Sequence, residues 1–314
     1  MARTVVIAIG GNSLISDSDH RTVSDQYAAA QQTCAHIAGM LEAEALRLVV
    51  THGNGPQVGF ILRRSELAAP ELHMVPLDSC VADTQGALGY HLQCALHNEF
   101  TRRGLARTAA TVVTQVRVEA GDPAFQRPDK PIGSFMTAAQ AQAHREQDGW
   151  ELVEDAGRGW RRVVASPAPR AVLELEVIRT LLDAGVVVVA CGGGGIAVVE
   201  DASGRIQGAA AVIDKDLASS LLAHELGAEV LIISTAVEQV CLDFGKPTQR
   251  SLDRMTLAEA RQYIAEGHFK PGSMLPKMQA VVAFLEQGGR EAIITDPAHL
   301  TAAIAGRAGT RIVP

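Results

Sequence analysis

Short β-branched apolar segments lead directly into glycine-containing loops at several places in this sequence. Residues 4–9 precede Gly10-Gly11-Asn12, and residues 46–51 precede His52 and the loop Gly53-Asn54-Gly55. Apolar segments of this length that end at glycine are typical of buried strands, and helical patterns follow them. The repeated strand–loop–helix unit therefore predicts an α/β fold, in which helices cover both faces of a mostly parallel sheet.

The same alternation continues through most of the 314 residues. We predict helices near residues 22–44, 57–67, 80–103, 137–147, 171–184, 215–226, 256–264, 276–287 and 298–304. We predict later strands near residues 109–117, 186–190, 196–199, 229–234, 239–243 and 291–294. From about 119 to 162 the alternation gives way to proline, glycine and polar residues. This predicts a small protruding lobe inserted into a single domain of residues 1–314.

The charge and the apolar segments exclude several classes of partner. A formal net charge of -7 disfavours a nucleic-acid or anionic-membrane surface, because both need a basic face. The longest apolar stretch, residues 186–199, is interrupted by glycines and is too short to span a bilayer. The apolar run at residues 5–9 is too short for a signal peptide. We therefore expect a soluble, cytoplasmic protein.

The cysteines support the same expectation. They are scattered, and no two of them form a Cys-x-x-Cys pair. The five are Cys34, Cys80, Cys94, Cys191 and Cys241. An odd and dispersed set predicts buried thiols in a reducing compartment, not a disulfide framework or a zinc site.

The glycine loops at strand ends predict an anion site. Ligands of parallel α/β sheets bind beyond the carboxyl ends of the strands, where glycines let backbone N–H groups approach an anion. A single loop of this kind would be explained by a tight turn alone. Recurrence of the feature at Gly10, Gly53 and the run of glycines 192–195 favours a shared ligand site.

The glycine run also admits a second interpretation. Gly192, Gly194 and Ala197 fit a loose dinucleotide-binding fingerprint after a valine-rich strand. That fingerprint requires a helix directly afterwards, whereas residues 196–199 are β-branched and predict another strand. An NAD-dependent enzyme is therefore disfavoured, and the absence of a Gly-x-x-x-x-Gly-Lys-Ser/Thr motif disfavours a P-loop nucleotidase.

Lysine is scarce in this chain, which makes its positions informative. Only five of the 28 lysines and arginines are lysines, and Lys215 lies between Asp214 and Asp216 at the start of a predicted helix. The aspartates could act simply as helix caps. A lysine flanked by two carboxylates also suits phosphoryl transfer, whose transition state needs cations that are held in place beforehand.

A second lysine-containing segment precedes the predicted helix at 276–287. Residues 270–277 contain Lys270 and Lys277 together with glycine and proline. Loop amides and lysines at a helix start would suit nucleotide phosphates. The alternative is a plain helix-initiating turn with solvated lysines, and the segment taken alone does not decide between them.

Seven segments together resemble the carbamate kinases, in the order in which that family has them. The segments are residues 6–14, 51–59, 122–126, 130–133, 159–164, 212–216 and 267–274. The similarity extends from residue 4 to about 295, which is nearly the whole chain. The resemblance implies the amino acid kinase fold, a three-layer αβα sandwich around a mainly parallel eight-stranded sheet with a small protruding subdomain.

The resemblance also implies an activity. Carbamate kinases interconvert carbamoyl phosphate and ADP with ATP and carbamate, use Mg²⁺, and usually form homodimers. The reaction generally runs towards ATP in catabolic pathways. By the same resemblance, the substrate-binding residues are Gly10, Gly11, Asn12, Gly53, Asn54, Gly193 and Gly194. Those of the nucleotide site are Asp214, Ser234, Thr235, Lys270, Gly272, Ser273 and Met274. The catalytic residues are Lys130, Lys215, Asp216 and Lys277, and no metal ligand is assigned.

One difference within the amino acid kinases favours carbamate as the acceptor. Many relatives carry a lysine in the first strand just before the glycine pair, whereas residues 5–9 of this chain contain no cation. Carbamate kinases are similar to this chain in supplying a lysine from the protruding lobe, and Lys130 fits that role. The lobe could then close as a lid that excludes water.

Two alternatives stay open at this stage. One is another amino acid kinase that makes an acyl phosphate on a different acid, and the other is a non-catalytic nucleotide-binding regulator. Three segments also depart from the family pattern, and one of them is the loop from Ile15 to Thr22, which is short for the family. Residues 82–86 stand where Met-Ser-Gln-Gly is expected, and Ala236 replaces an acidic residue after Thr235.

Overall fold

The fold was analysed in a computed structural model, which describes residues 2–10, 22–154, 157 and 159–314. The strands are β1 (Arg3–Ile9), β2 (Leu46–His52), β3 (Ala109–Thr111), β4 (Gln115–Val118), β5 (Lys130–Met136), β6 (Leu152–Glu154), β7 (Trp160–Val164), β8 (Pro169–Val172), β9 (Val187–Val189), β10 (Ile196–Glu200), β11 (Ile206–Gly208), β12 (Val230–Ser234), β13 (Val240–Leu242), β14 (Arg250–Leu252), β15 (Arg254–Thr256), β16 (Glu291–Thr295) and β17 (Thr310–Val313). The helices are α1 (Val23–Ala43), α2 (Gln57–Ala68), α3 (Leu77–Arg103), α4 (Ala138–Asp148), α5 (Leu175–Asp183), α6 (Lys215–Leu226), α7 (Leu257–Ala265), α8 (Met274–Glu286) and α9 (Leu300–Ile304).

An eight-stranded sheet forms the centre of the molecule. Its strand order is β15-β17-β16-β12-β1-β2-β9-β3, and every neighbouring pair is parallel except β16 with β17. The central strands are buried on both faces, so they are continuous apolar runs and do not alternate with polar residues. The predicted α/β class and the mainly parallel eight-stranded sheet are confirmed.

Alternate side chains of the central strands build two separate cores. In β1, Val6 and Ala8 face one core, whereas Val5, Ile7 and Ile9 face the other. Residues of α5, α6 and α8 complete the first core, and residues of α1, α3 and α9 complete the second. This two-sided burial follows from the period of two along a strand, and it produces the three-layer arrangement.

The predicted strand at 109–117 is wrong in one respect, because the segment divides between two sheets. β3 pairs with β9 in the main sheet, whereas β4 pairs with β10 and β8 in a separate four-stranded sheet of order β11-β10-β4-β8. The chain leaves the first sheet at residues 112–114. Apolar periodicity cannot reveal such a change of partner, since both halves are equally extended.

The predicted helix at 171–184 begins too early. Residues 169–172 form β8, which pairs antiparallel with β4, and α5 begins only at Leu175. Pro169 is compatible with this position because β8 lies at the edge of its sheet.

Part of the segment between 119 and 162 forms a sheet of its own. Strands β5, β7 and β6 pair antiparallel, and α4 packs on β7. This sheet rests directly on α2, because a Cβ atom placed on Gly59 would lie 2.1 Å from the Cα atom of Gly133. Arg162 of β7 also donates a 2.9 Å hydrogen bond to Glu66 of α2. These contacts hold β5, and with it Lys130, against the helix that follows the Gly53 loop.

The cysteines are free thiols, as expected, but they are not all buried. Cys34, Cys80 and Cys191 are buried, whereas Cys94 and Cys241 are partly exposed. Among the described residues, no helix combines the length and apolar character needed to cross a bilayer.

Candidate active site

Four neighbouring strands bring their carboxyl ends to one edge of the main sheet. The order β12-β1-β2-β9 places Ser234, Gly10, Gly53 and the glycine run after β9 side by side. The Gly10 amide donates to the Ser234 carbonyl oxygen at 3.1 Å, and the Gly53 amide donates to the Ile9 carbonyl oxygen at 3.2 Å. The predicted convergence of the glycine loops is therefore present. Gly11 and Asn12 lie outside the described residues.

The run of glycines after β9 packs directly against the Asn54 side chain of the Gly53 loop and against the backbone of Ile213. A Cβ atom on Gly193 would lie 1.9 Å from Oδ1 of Asn54, and one on Gly194 would lie 2.4 Å from the Ile213 carbonyl oxygen. Both glycines also have positive φ angles, of 68° and 97°. Close approach and backbone conformation together explain why glycine is required at these positions.

Asn54 connects the two loops through its side-chain amide. Its Nδ2 atom lies 3.4 Å from the Gly193 carbonyl oxygen and donates to it. Its Oδ1 atom is buried and has no donor among the residues that the structure describes. This oxygen is therefore an acceptor that a ligand amino group could use, since buried acceptors are normally paired.

Helix α6 presents its N-terminus to the same edge. Asp214 is its N-cap residue, and Oδ1 of Asp214 accepts from the backbone amides of Asp216 and Leu217 at 2.9 and 3.3 Å. The cap interpretation of this aspartate is therefore correct, but it accounts for only one oxygen. The other oxygen, Oδ2, accepts a 2.7 Å hydrogen bond from the ammonium group of Lys130.

Asp216 is shared by two lysines from different helices. Its Oδ1 accepts from Lys215 of α6, and its Oδ2 accepts from Lys277 of α8 at 3.0 Å. The carboxylate side chain is 4% exposed. Burial acts to raise its pKa, but the two ammonium groups outweigh burial and lower the pKa to about 2. Asp216 is therefore ionised throughout the physiological range.

The Lys215 ammonium is nearly as well buried as its partner. Burial lowers the pKa of this lysine below its usual value, and Asp216 opposes the shift, whereas the Lys277 charge adds to it. Three lysines and two aspartates thus meet within one cluster, with an excess of one positive charge. The cluster can accept a phosphoryl group whose negative charge is spread over its equatorial oxygens in the transition state.

A cavity of about 310 Å³ adjoins the lysine cluster. Lys215 and Lys277 line it, together with the predicted nucleotide-site residues Thr235, Lys270, Gly272, Ser273 and Met274. Apolar side chains, including Val237, Phe244 and Phe269, line other parts. Ser234 and Asp214 are not among the lining residues, and the Ser234 side chain is fully buried.

Two buried residues next to the site were not identified from the sequence. His52 ends β2 and packs against Gly192, where an added Cβ would lie 2.4 Å from its Nε2 atom. Gln85 of α3 hydrogen-bonds the Gly192 carbonyl oxygen. His52 ends an apolar strand, whereas Gln85 follows Asp83 and Thr84 in a polar part of its helix. Only their position after folding shows that both contact the glycine run.

Among the described residues, no group of three or more histidine, cysteine, aspartate or glutamate side chains is arranged to hold a metal ion. The four carboxylate oxygens of Asp214 and Asp216 all accept hydrogen bonds within the cluster. These carboxylates therefore bind ammonium and backbone amide groups of the protein.

Comparison with known proteins identifies the class to which this fold and site belong. A model of the amino acid kinase family matches residues 3–296. The chain therefore belongs to the amino acid kinase family. The carbamate kinase of Clostridium perfringens (strain 13 / Type A) is 45% identical over 317 residues, covering 98% of this chain and 99% of the relative. Within the family, this chain belongs with the carbamate kinases, as its seven segments predict.

Two further relatives give the same result. The carbamate kinase-like protein YahI of Escherichia coli (strain K12) is 49% identical over 316 residues, covering 100% of this chain and 99% of the relative. The solved structure of a carbamate kinase from Giardia lamblia bound to AMP-PNP superposes with a TM-score of 0.92. It is 39% identical and covers 99% of this chain and 98% of that one.

The buried His52 predicts a pH dependence of stability. Burial lowers the pKa of His52 from 6.5 to about 4, a shift that the Gly53 carbonyl opposes and the Lys215 charge supports. Between these pH values the unfolded chain binds a proton at His52 that the folded chain does not. The free energy of unfolding should therefore fall as the pH falls from 6.5 to 4, by on the order of 1 kcal/mol per pH unit from this residue.

The measurement is urea unfolding between pH 7.5 and 4 for the wild type and a His52→Gln variant. The difference at pH 7.5 reports lost packing, and the difference in slope below pH 6.5 reports the histidine. Parallel curves for the two proteins would contradict the assignment.

Proposed function

We propose that this chain catalyses reversible phosphoryl transfer between carbamoyl phosphate and ADP, giving ATP and carbamate. In the direction of ATP synthesis, the bond between the carbamoyl oxygen and phosphorus breaks as a bond forms from phosphorus to the ADP β-phosphate oxygen. The observation that carries the proposal is the cluster of Lys130, Lys215 and Lys277 around two aspartates, between the glycine loops and the cavity.

The loops at the strand ends hold the carbamoyl part of the substrate. Glycine at Gly10, Gly53, Gly193 and Gly194 leaves no side chain in the way, so the ligand can approach the backbone of these loops closely. Oδ1 of Asn54 accepts a hydrogen bond from the carbamoyl amino group. A methyl group, as in acetyl phosphate, offers no donor and would leave this buried oxygen unpaired.

Lys215 and Lys277 neutralise the phosphoryl group during transfer. Asp216 holds both ammonium groups from the side away from the ligand, so they need no reorganisation when charge develops. The nucleotide occupies the cavity, where Thr235, Lys270, Gly272, Ser273 and Met274 surround it. Asp214 and Ser234 do not line the cavity. Asp214 instead binds Lys130, and the Ser234 carbonyl oxygen accepts from the Gly10 amide.

Lys130, which lies in the lobe of residues 119–162, supplies the third positive charge of the lysine cluster. Its ammonium group pairs with Asp214 in the structure and would transfer to the phosphoryl oxygens when the substrate binds. We propose that the lobe acts as a lid in this step. Because Gly59 of α2 contacts Gly133 of β5, the lid and the Gly53 loop would move together.

Magnesium fits the site as an ion that the nucleotide phosphates carry. Mg²⁺ commonly binds through substrate phosphates and water with few protein carboxylates. The hydrogen-bonded state of Asp214 and Asp216 agrees with this arrangement. When bound, the ion supplies charge neutralisation at the nucleotide phosphates.

We propose a cytoplasmic location for this protein. Its three buried cysteines are free thiols, which is typical of proteins in a reducing compartment.

Alanine variants of the lysines test the assigned roles. Lys215→Ala and Lys277→Ala should each lower turnover in ATP formation by on the order of 10²–10³, because each removes one preorganised charge. Lys130→Ala should lower turnover while leaving ADP affinity close to that of the wild type, since Lys130 lies outside the cavity lining.

Lys246→Ala is the matched control, because Lys246 pairs with Asp243 at the surface and should be dispensable. Turnover close to that of the wild type in a folded Lys215→Ala or Lys277→Ala protein would exclude the role of that lysine. Selective loss of ADP binding in Lys130→Ala would exclude the lid assignment.

We propose further that two copies associate through the outer face of α3 and the free edge of β3. β3 is the terminal strand of the main sheet, and Tyr90 and Val113 beside it are 64% and 54% exposed. Gln93 of α3 accepts from the Thr111 amide of this strand, but a terminal strand with exposed apolar neighbours still suits association with a second copy of this chain.

Sedimentation velocity tests this arrangement, with a dimer expected for the wild type. A variant with Tyr90→Glu and Val113→Lys should sediment as a monomer, because each protomer loses apolar contact. Val177→Lys, on the exposed side of α5, is the control and should remain dimeric. A dimer that survives the double substitution would show that another surface mediates association.

A further inference from the structure

We propose that Gln85 is a positioning residue, which fixes the run of glycines 192–195 in the shape that receives carbamoyl phosphate. The proposal rests on the proposed function, and it assigns a role within it to a residue of helix α3. Gln85 is 1% exposed. Its Nε2 atom donates to the carbonyl oxygens of Gly192 and Thr114 at 3.0 and 3.1 Å, and its Oε1 atom accepts from the Thr114 amide at 2.8 Å.

These contacts bracket the glycine run at both ends. Thr114 accepts through its hydroxyl oxygen from the amide of Cys191 at 3.0 Å, and through its carbonyl oxygen from the amide of Ile196 at 2.9 Å. Cys191 and Ile196 are the residues directly before and after the run. Gln85 and Thr114 together therefore tie the segment between β3 and β4 to both ends of the turn.

The turn needs external support because its backbone conformation is unfavourable. Cys191 has a φ of 48° although it carries a side chain, and Gly193, Gly194 and Gly195 all have positive φ. Glycines in the unfolded chain have high conformational entropy, so the order of this turn depends on contacts from outside it. Gln85 and Thr114 provide such contacts from elements distant in sequence.

Displacement of the turn would reach the substrate site directly. Gly192 is wedged between two side chains, since an added Cβ would lie 2.4 Å from Nε2 of His52 and 3.1 Å from Cγ of Gln85. The next residue, Gly193, accepts the hydrogen bond from Asn54. Neither Gln85 nor the glycine run lines the nucleotide cavity. Loss of the Gln85 contacts should therefore affect carbamoyl phosphate and spare ADP.

The experiment replaces Gln85 by Met, which keeps the length of the side chain and removes its hydrogen bonds. Gln93→Met is the matched control. Gln93 lies on the same helix and also accepts a backbone hydrogen bond, from Thr111 at 2.9 Å, but it does not contact the glycine run. In Gln85→Met, KM for carbamoyl phosphate should rise on the order of tenfold. The Kd of ADP, measured by calorimetry, should stay within about twofold of wild type. Gln93→Met should change neither value.

The hydrogen bonds of Gln85 and Thr114 to the glycine run are called the clamp. Hydrogen exchange of the peptide that contains residues 191–195 tests this clamp independently of turnover. Faster exchange there in Gln85→Met, but not in Gln93→Met, is expected. Unchanged exchange would overturn the assignment whatever substrate the wild type uses. Equal rises in KM for carbamoyl phosphate and in Kd for ADP would also overturn it, because a general loss of structure would then explain the variant. A wild type that cannot use carbamoyl phosphate would refute the proposed function, and the exchange result would still decide the clamp.

Discussion

The buried carboxylate of Asp216 is the constraint on which the site depends. Two ammonium groups, from α6 and α8, meet at its two oxygens, and without it they would repel each other in a region from which water is largely excluded. The same contact joins two helices that pack on one face of the main sheet. One interaction thus supports the packing of the core and the placement of two lysine charges beside the cavity.

The fold explains why these charges and the glycine loops occur at the same edge. Parallel strands place all their carboxyl ends together, so loops that are far apart in sequence become neighbours. The first strand supplies no lysine, and Lys130 of the lobe brings an ammonium group to Asp214 at the N-cap of α6. The close contact of Gly59 with Gly133 keeps the lobe on α2, and therefore near the loop that begins with Gly53.

Much of this arrangement was predictable because its signals are local. Apolar strands that end at glycine, and the helical patterns that follow them, identified the sheet and the loops around Gly10 and Gly53. The predictions failed where the outcome depends on tertiary partners. Residues 109–117 look like one strand but divide between two sheets, and residues 169–172 join a sheet edge instead of a helix. Gln85 was overlooked as a functional residue because its three hydrogen bonds form only after α3 packs beside Thr114 and Gly192.

The most direct test of the account is the choice of phosphoryl donor by the purified wild-type protein. ATP formation from ADP and Mg²⁺ would be measured with carbamoyl phosphate and, in parallel, with acetyl phosphate. The lysine cluster beside the Asn54 acceptor predicts rapid ATP formation from carbamoyl phosphate and much slower formation from acetyl phosphate. Absence of ATP from carbamoyl phosphate, in a protein that binds ADP, would contradict the account and indicate either a different acid substrate or a regulatory protein.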